Sequence, residues 1–340
     1  MVNVVVTGGA GFLGSRLARA LLTVGSVEVA GSGARPLSRV TLIDRSPVPA
    51  DLAAAEQVAA IRGDLGELLD PAGHGRHTLA GAEVIFHLAA AVSGECEADF
   101  DLGMRANLRA IESLLASCRA LGTNPVVVFT SSLAVFGASR EHPLPAVVDD
   151  HTLPNPQSSY GVQKLMGEQL LADYTRKGFL RGRAVRLATV SVRPGRPNAA
   201  ASGFLSGIIR EPLAGQRAAC PVGAATEVAL ISPARAIEGL LRAATSSEES
   251  WGGRSAVTLP ALTVTVADMV AALQRVGGPE VSALIDWVPD PAVASLVMSW
   301  PARIRAERAE RLGIAPDPDF GSIISMYCAE ARDQRATDRQ

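Results

Sequence analysis

Apolar residues along this chain come first as short unbroken runs and then as helical stripes, in alternation. The runs fall at residues 2–7, 40–44, 59–62, 83–88, 125–131 and 183–190, and each has the length of a strand. Apolar residues at helical spacing lie between them, the longest stretches covering 99–121 and 158–177. Runs such as Val126-Val127-Val128-Phe129 show little polar alternation, as expected of strands covered on both faces. Strand and helix in strict alternation predict a doubly wound parallel sheet with right-handed crossovers. From Pro194 to Gly223 the pattern loosens into Gly, Pro and Ala, and short elements follow. A smaller lobe is therefore expected from about residue 195, with returns to the main sheet. The polar end, 331–340, is expected to be a flexible tail.

The junction of the first strand and first helix is the most informative segment. Thr7-Gly8-Gly9-Ala10-Gly11-Phe12-Leu13-Gly14 closes the run 2–7 and opens a stripe of Leu13, Leu17, Leu21 and Leu22. Strand, glycine turn and helix in that order are the context in which a glycine motif holds a dinucleotide. Gly8 suits the tight turn, Gly11 a close approach to a pyrophosphate, and Gly14 close packing of helix on strand. The open N–H groups of that helix then face the phosphates. The prediction is a Rossmann-type α/β fold, with 1–194 as the NAD-binding domain and 195–330 as the substrate lobe. Asp44 ends the second strand, where a carboxylate accepts the ribose hydroxyls and repels a 2′-phosphate, so NAD is expected over NADP. Arg45 leaves some room for the phosphorylated cofactor. Asp44 stands 30 positions after Gly14, further than usual, and the Gly/Ser-rich piece 25–39 reads as an insertion. Asp64-Leu65 follows the next strand, where the carboxylate either reaches the adenine or serves a turn.

Composition narrows the class without naming a reaction. The chain of 340 residues is 48% hydrophobic and 19% charged, a well-cored globular protein. A net charge of −2 gives no general attraction to nucleic acid or to an acidic membrane. No apolar run is long enough to span a bilayer, and the first strand begins at once, leaving no room for a signal peptide; a cytoplasmic location is expected. Cys96, Cys118, Cys220 and Cys328 are scattered without metal spacing. His74 and His77 share a Gly-rich loop and read as solvated, not as a metal pair. His87 ends an apolar strand and reads as packed. No metal site is expected.

Proton-transfer chemistry is carried by Tyr160 and Lys164, which share a helical face at i and i+4. Ser131-Ser132 ends the fifth run, at the edge where ligands bind in such sheets. A nearby ammonium favours phenolate, so Tyr160 is expected to take a hydroxyl proton while hydride leaves the same carbon. Ser132 would hold the reacting oxygen, and Lys164 would also reach the nicotinamide ribose.

Together these residues resemble the extended short-chain dehydrogenase/reductase family, which holds nucleotide-sugar epimerases and dehydratases. The likeness covers about residues 1–195: Thr7 to Gly14, Asp44, Asp64-Leu65, His87-Leu88-Ala89-Ala90, Asn107, Thr130-Ser131-Ser132 with Phe136-Gly137, and Tyr160 with Lys164. It implies that Leu88, Ala89 and Ala90 line the cofactor trough with Phe12 and Leu13, and that Asn107 supports the helix beside the active site and belongs to the cofactor set. It also implies a homodimer built on residues 107–121 and 160–177, whose leucines 114, 115, 165, 170 and 171 form apolar stripes, part of which must meet the sheet.

The second half departs from the epimerases. Where these read Asn-x-Tyr-Gly-Pro, this chain has Ser191-Val192-Arg193-Pro194-Gly195-Arg196-Pro197-Asn198. The later arginine for a sugar-nucleotide diphosphate and the His-Val-x-Asp pattern are also absent. The segment from Arg193 to Phe204, with Ser93-Gly94-Glu95, resembles the D-erythronate dehydrogenase branch. That implies NAD-dependent oxidation of a small sugar acid at C2, with Arg193 or Arg196 on its carboxylate and Ser93, Asn198 and Ser202 on its hydroxyls. Two other readings stay open: a nucleotide-sugar epimerase or dehydratase with tightly bound NAD, and a non-enzymatic NAD sensor. An intact Ser132/Tyr160/Lys164 set argues against the sensor, which needs no proton-transfer groups.

Overall fold

A computed structural model of the chain describes residues 1–70, 75–195 and 200–337. Its main sheet contains β1 (Val2–Thr7), β2 (Ser26–Glu28), β3 (Ala34–Asp44), β4 (Val58–Arg62), β5 (Val84–His87), β6 (Val126–Ser132) and β7 (Arg181–Leu187), with Val257–Thr258 at the far edge. Six of these strands lie side by side in the order β4-β3-β1-β5-β6-β7, all parallel, followed by Val257–Thr258. The order reverses between β1 and β5, so a crevice opens at their carboxyl ends.

Alternate residues of each strand enter different cores, which is why the strands read as continuous apolar runs. Val4, Val6, Leu42, Phe86 and Val128 pack on one side with Leu17, Ala18 and Leu21 of α1 (Phe12–Val24) and with Leu240 of helix Pro233–Thr245. Val5, Ile43, Ile85, Val127 and Phe129 pack on the other side with Ile111, Leu114 and Leu115 of α2 (Ala110–Leu121) and Leu171 of α3 (Ser159–Arg176). A third core draws only on residues from Val192 to Ile324. Helix Pro233–Thr245 and strand Val257–Thr258 return to the main sheet.

Several features refine or differ from the sequence reading. The piece 25–39 forms an ordered hairpin between α1 and Asp44. It is β2, a turn through Gly31 and Gly33 at positive φ, and the first half of an eleven-residue β3, paired antiparallel. The hairpin therefore accounts for the long interval before Asp44. Residues 99–121 do not form one regular helix: Phe100–Gly103 leads into a π-helical turn, Met104–Arg109, and then α2. The leucine stripes face inward, since Leu114, Leu115 and Leu171 are buried in the second core and Leu165 and Leu170 pack against cores. The exposed apolar side chains on this side are Val162 and Met166 of α3 and Phe100. At the carboxyl end, helix Phe320–Thr337 continues to Thr337, and Glu330 pairs with Arg16 of α1. No helix among the described residues is long and apolar enough to cross a membrane.

Candidate active site

The glycine turn works by close approach. Gly8 has φ 72°, and its N–H donates to Ile43 O at 2.8 Å while its carbonyl accepts from Gly11 N at 3.0 Å. A Cβ on Gly8 would lie 2.8 Å from Ala89 N, and one on Gly14 only 2.1 Å from Gly8 O, so α1 sits directly on the turn. Gly11 caps α1 with no side-chain hydrogen bond, leaving the first-turn N–H groups open to a groove lined by Gly8, Gly11, Phe12, Leu13 and Gly14. This cradle, too tight for any side chain and rich in free donors, fits the diphosphate of a dinucleotide.

The groove continues toward a hollow of about 490 Å³ lined by Asp44, Arg45, Asp64, Leu65, Leu88, Ala89 and Ala90. Asp44 accepts Ala10 N at 3.0 Å and Ser46 N at 2.9 Å, which fixes its carboxylate at the end of β3. Asp64 caps the short helix Leu65–Leu68 through Gly66 N, the turn role, and it also lines the hollow. Asn107 lines neither this hollow nor the groove. Buried in the π-helical turn, it holds Ala91 N with Oδ1, and Nδ2 donates to Ala91 O and Gln163 Oε1. It thereby ties the trough segment after β5 to α3, a positioning role rather than contact with the cofactor.

At the other end, Ser132 closes β6, and Tyr160 and Lys164 stand one turn apart on α3. Ser158 caps α3 by accepting Gly161 N at 3.1 Å. Gly161 brings the helix against the turn Leu133–Val135, since a Cβ there would meet Ala134 O at 2.1 Å. That contact sets Tyr160 beside Ser132. Lys164 Nζ donates to Thr130 O at 2.9 Å and lies 5.6 Å from the centroid of the Tyr160 ring.

Burial pushes the Tyr160 phenol up to about 12, opposed by a hydrogen bond with Ser132. Burial brings Lys164 down to about 8. The expected lowering of the tyrosine by the lysine is therefore absent when the protein stands by itself. With Lys164 at about 8, the ammonium is gone before the phenol titrates, and desolvation dominates both groups. Glu168, one turn further on, is buried; it accepts Ser131 Oγ at 2.5 Å and pairs bidentately with Arg186 at 2.7 and 2.9 Å. His87 is packed as expected, with Nδ1 2.8 Å from Thr7 Oγ1, its ring stacked on Phe129 and its pKa lowered by burial to about 3.

Tyr160, Lys164 and Ser132 border a chamber of about 290 Å³, whose other polar walls include Ser93, Thr189 and Ser202. Val297, Trp300 and Pro301 close it from the carboxyl-terminal lobe. The sequence reading missed Trp300, Gly161 and Glu168. The two last stand at i+1 and i+8 of Tyr160, a signal present in the α3 sequence; nothing local marks Trp300. Arg193 does not line this chamber. It is half-buried in the groove with Gly8, Gly11 and Gly14, because its N–H donates to Ser206 Oγ and its carbonyl accepts from Arg210 Nη1. Arg196, Asn198 and His74 lie outside the described residues. No cluster of His, Cys, Asp or Glu suited to a metal occurs among the described residues.

Comparison with known proteins agrees with this geometry. The model of the NAD dependent epimerase/dehydratase family matches residues 4–231. D-erythronate dehydrogenase of Cupriavidus necator is 49% identical over 330 residues, covering 97% of this chain and 99% of that protein. The protein of the same name from Haemophilus influenzae is 37% identical over 96% of this chain and 98% of its own length. A crystal structure described as a nucleoside-diphosphate-sugar epimerase from Agrobacterium tumefaciens is 38% identical, with TM-score 0.85, covering 95% of this chain and 92% of that one.

Proposed function

The chain belongs to the NAD dependent epimerase/dehydratase family, and from that premise we propose that it oxidises D-erythronate to 2-dehydro-D-erythronate at C2. The observation that carries this reading is the confined chamber in which Ser132, Tyr160 and Lys164 meet the open end of a dinucleotide cradle. At about 290 Å³ it sits at the small end of ligand sites, roughly 300–1,000 Å³, and the nicotinamide shares it. Its described polar lining is mostly hydroxyl, which suits a short polyol acid.

Bound NAD would supply the acceptor for the hydride lost from C2. The residues do the rest. Ser132 holds the C2 hydroxyl oxygen, and Tyr160 takes its proton as the carbonyl forms. Lys164, fixed on Thr130 O, supplies positive charge beside the phenol and a donor for the ribose. Gly8, Gly11, Phe12, Leu13 and Gly14 hold the diphosphate, Asp44 the adenosine ribose, and Leu88, Ala89 and Ala90 the trough wall. Ser93 and Ser202 face the substrate hydroxyls. Residues 1–194 serve the cofactor, and 195–330 close over the substrate.

A cytoplasmic homodimer completes the proposal, with the exposed Val162, Met166 and Phe100 as its apolar contacts in place of the inward leucines; light scattering at micromolar concentration tests it. The function is tested by incubating the protein with NAD and four- to six-carbon sugar acids while following NADH absorbance. Net NADH with D-erythronate is expected. Epimerisation of a UDP-sugar without net NADH would replace this reading with the epimerase one.

A further inference from the structure

Two arginines line the groove across from the glycine turn. Arg193 and Arg210 both line the groove bordered by Gly8, Gly11 and Gly14. Arg210 is already committed: Nη1 donates to Arg193 O at 2.7 Å, and Nη2 pairs with Glu211 at 2.5 Å. Arg193 is half-buried and has no ion-pair partner among the described residues. Burial and then the charge of Arg210 disfavour its cationic form, and Glu95, which makes no ion pair with it, offsets them only in part. Its backbone is fixed, because helix Phe204–Leu213 holds both backbone groups, the N–H at Ser206 Oγ and the carbonyl at Arg210.

A half-desolvated cation beside a second cation is costly unless an anion sits with it. The free N–H groups of α1 across the groove ask for the same ligand. We infer that Arg193 binds the diphosphate of NAD, clamping it against the glycine turn. A guanidinium suits this task, since its planar fork matches two phosphate oxygens at once. The inference rests on the cofactor assignment and replaces the expectation that Arg193 holds the substrate carboxylate.

The decisive experiment omits the sugar acid. ADP-ribose, which carries the diphosphate but no nicotinamide, is titrated calorimetrically into wild type and Arg193→Met, with melting temperatures as the check on folding. A charged hydrogen-bonded contact of this kind is worth about 10- to 100-fold in affinity. The dissociation constant of the variant is expected to rise at least fivefold, and a smaller rise overturns the inference. If Arg193→Met does not fold, Arg193→Lys is judged by the same threshold, because a point charge loses the bidentate fit. Wild type that binds ADP-ribose, with the variant unchanged, removes Arg193 from the site and leaves the cofactor assignment standing. Wild type that fails to bind ADP-ribose takes both down. A raised KM for the sugar acid at unchanged ADP-ribose affinity returns Arg193 to the substrate.

Discussion

Replacing Lys164 by methionine should move the pH dependence of turnover by a calculable amount. The phenol of Tyr160, buried at the edge of the chamber, sits at about 12 in the protein by itself. Were it to stay there, about one molecule in 10⁴ would carry phenolate at pH 8. The Lys164 ammonium lies 5.6 Å from the Tyr160 ring, where an effective dielectric near 20 gives about 3 kcal/mol of attraction for a phenolate. That equals about two pK units, available only while Lys164 is protonated, below about 8. The hydrogen bond of Ser132 is already contained in the value of about 12, so the positive charge of oxidised NAD is left to supply the remainder. In Lys164→Met, the rising limb of kcat against pH, measured at saturating NAD by NADH absorbance, should shift upward by about two units. At pH 8 the rate should fall about 100-fold and recover in part toward alkaline pH. The chain has three tyrosines, so ultraviolet difference spectra against Tyr160→Phe isolate this phenol and measure its starting point directly. A limb that stays in place while kcat drops would show that Lys164 acts only in holding the cofactor, and the electrostatic account would be wrong.

Tyr160→Phe should lower kcat by about 10³-fold or more while NADH affinity, read by fluorescence, changes less than threefold; turnover above a tenth of wild type rejects Tyr160 as the base. Asp44 should give NAD at least about a tenfold advantage over NADP in kcat/KM, because a carboxylate held by Ala10 N and Ser46 N cannot swing away from a 2′-phosphate. Asp44→Ala should narrow that gap, and equal use of both cofactors by wild type sinks the argument. His87 is held neutral, with its pKa lowered by burial from 6.5 to about 3. Below pH 6.5 the unfolded chain takes up the proton first, so stability drains away as pH falls toward 3, by roughly 5 kcal/mol at most. Urea midpoints of His87→Asn should show a shallower acid slope than wild type, and parallel slopes would count against it.

Features that depend on local chemistry were legible before the fold was known. Val2 to Gly14 announces strand, turn and helix because the glycines are required by contacts within that unit, Gly14 against Gly8 O above all. The unbroken runs announced a doubly covered sheet because each strand feeds two cores. Tyr160 and Lys164 announced themselves through helical spacing. What escaped depends on meetings between distant parts. The residues 25–39 are rich in turn formers, and only pairing with β3 shows that the stretch is a hairpin. The leucines of α2 and α3 signal an apolar face without saying whether sheet or partner covers it, and the sheet does. Arg193 follows a strand end, which suggested the substrate, yet its backbone is held by Ser206 and Arg210, which carry it to the glycine turn. Trp300 reaches the chamber from the third core's side of the chain, about 140 positions after Tyr160.

The disposition of charge bears on the choice between a sugar acid and a nucleotide sugar. A nucleotide sugar brings a second diphosphate, which needs cations near the chamber in addition to those serving NAD. Among the described residues the arginines of this region other than Arg193 are committed. Arg186 is locked bidentately on Glu168, and Arg303 on the chamber residue Glu227. Arg210 is held by Glu211, and Arg193 lies beside the glycine turn. Lys164 is the cation in the chamber wall, and it is tied to Thr130 O. The second lobe narrows the space further with Val297, Trp300 and Pro301. One charge beside Tyr160 and a ring of hydroxyls match a single small acid bearing several hydroxyl groups.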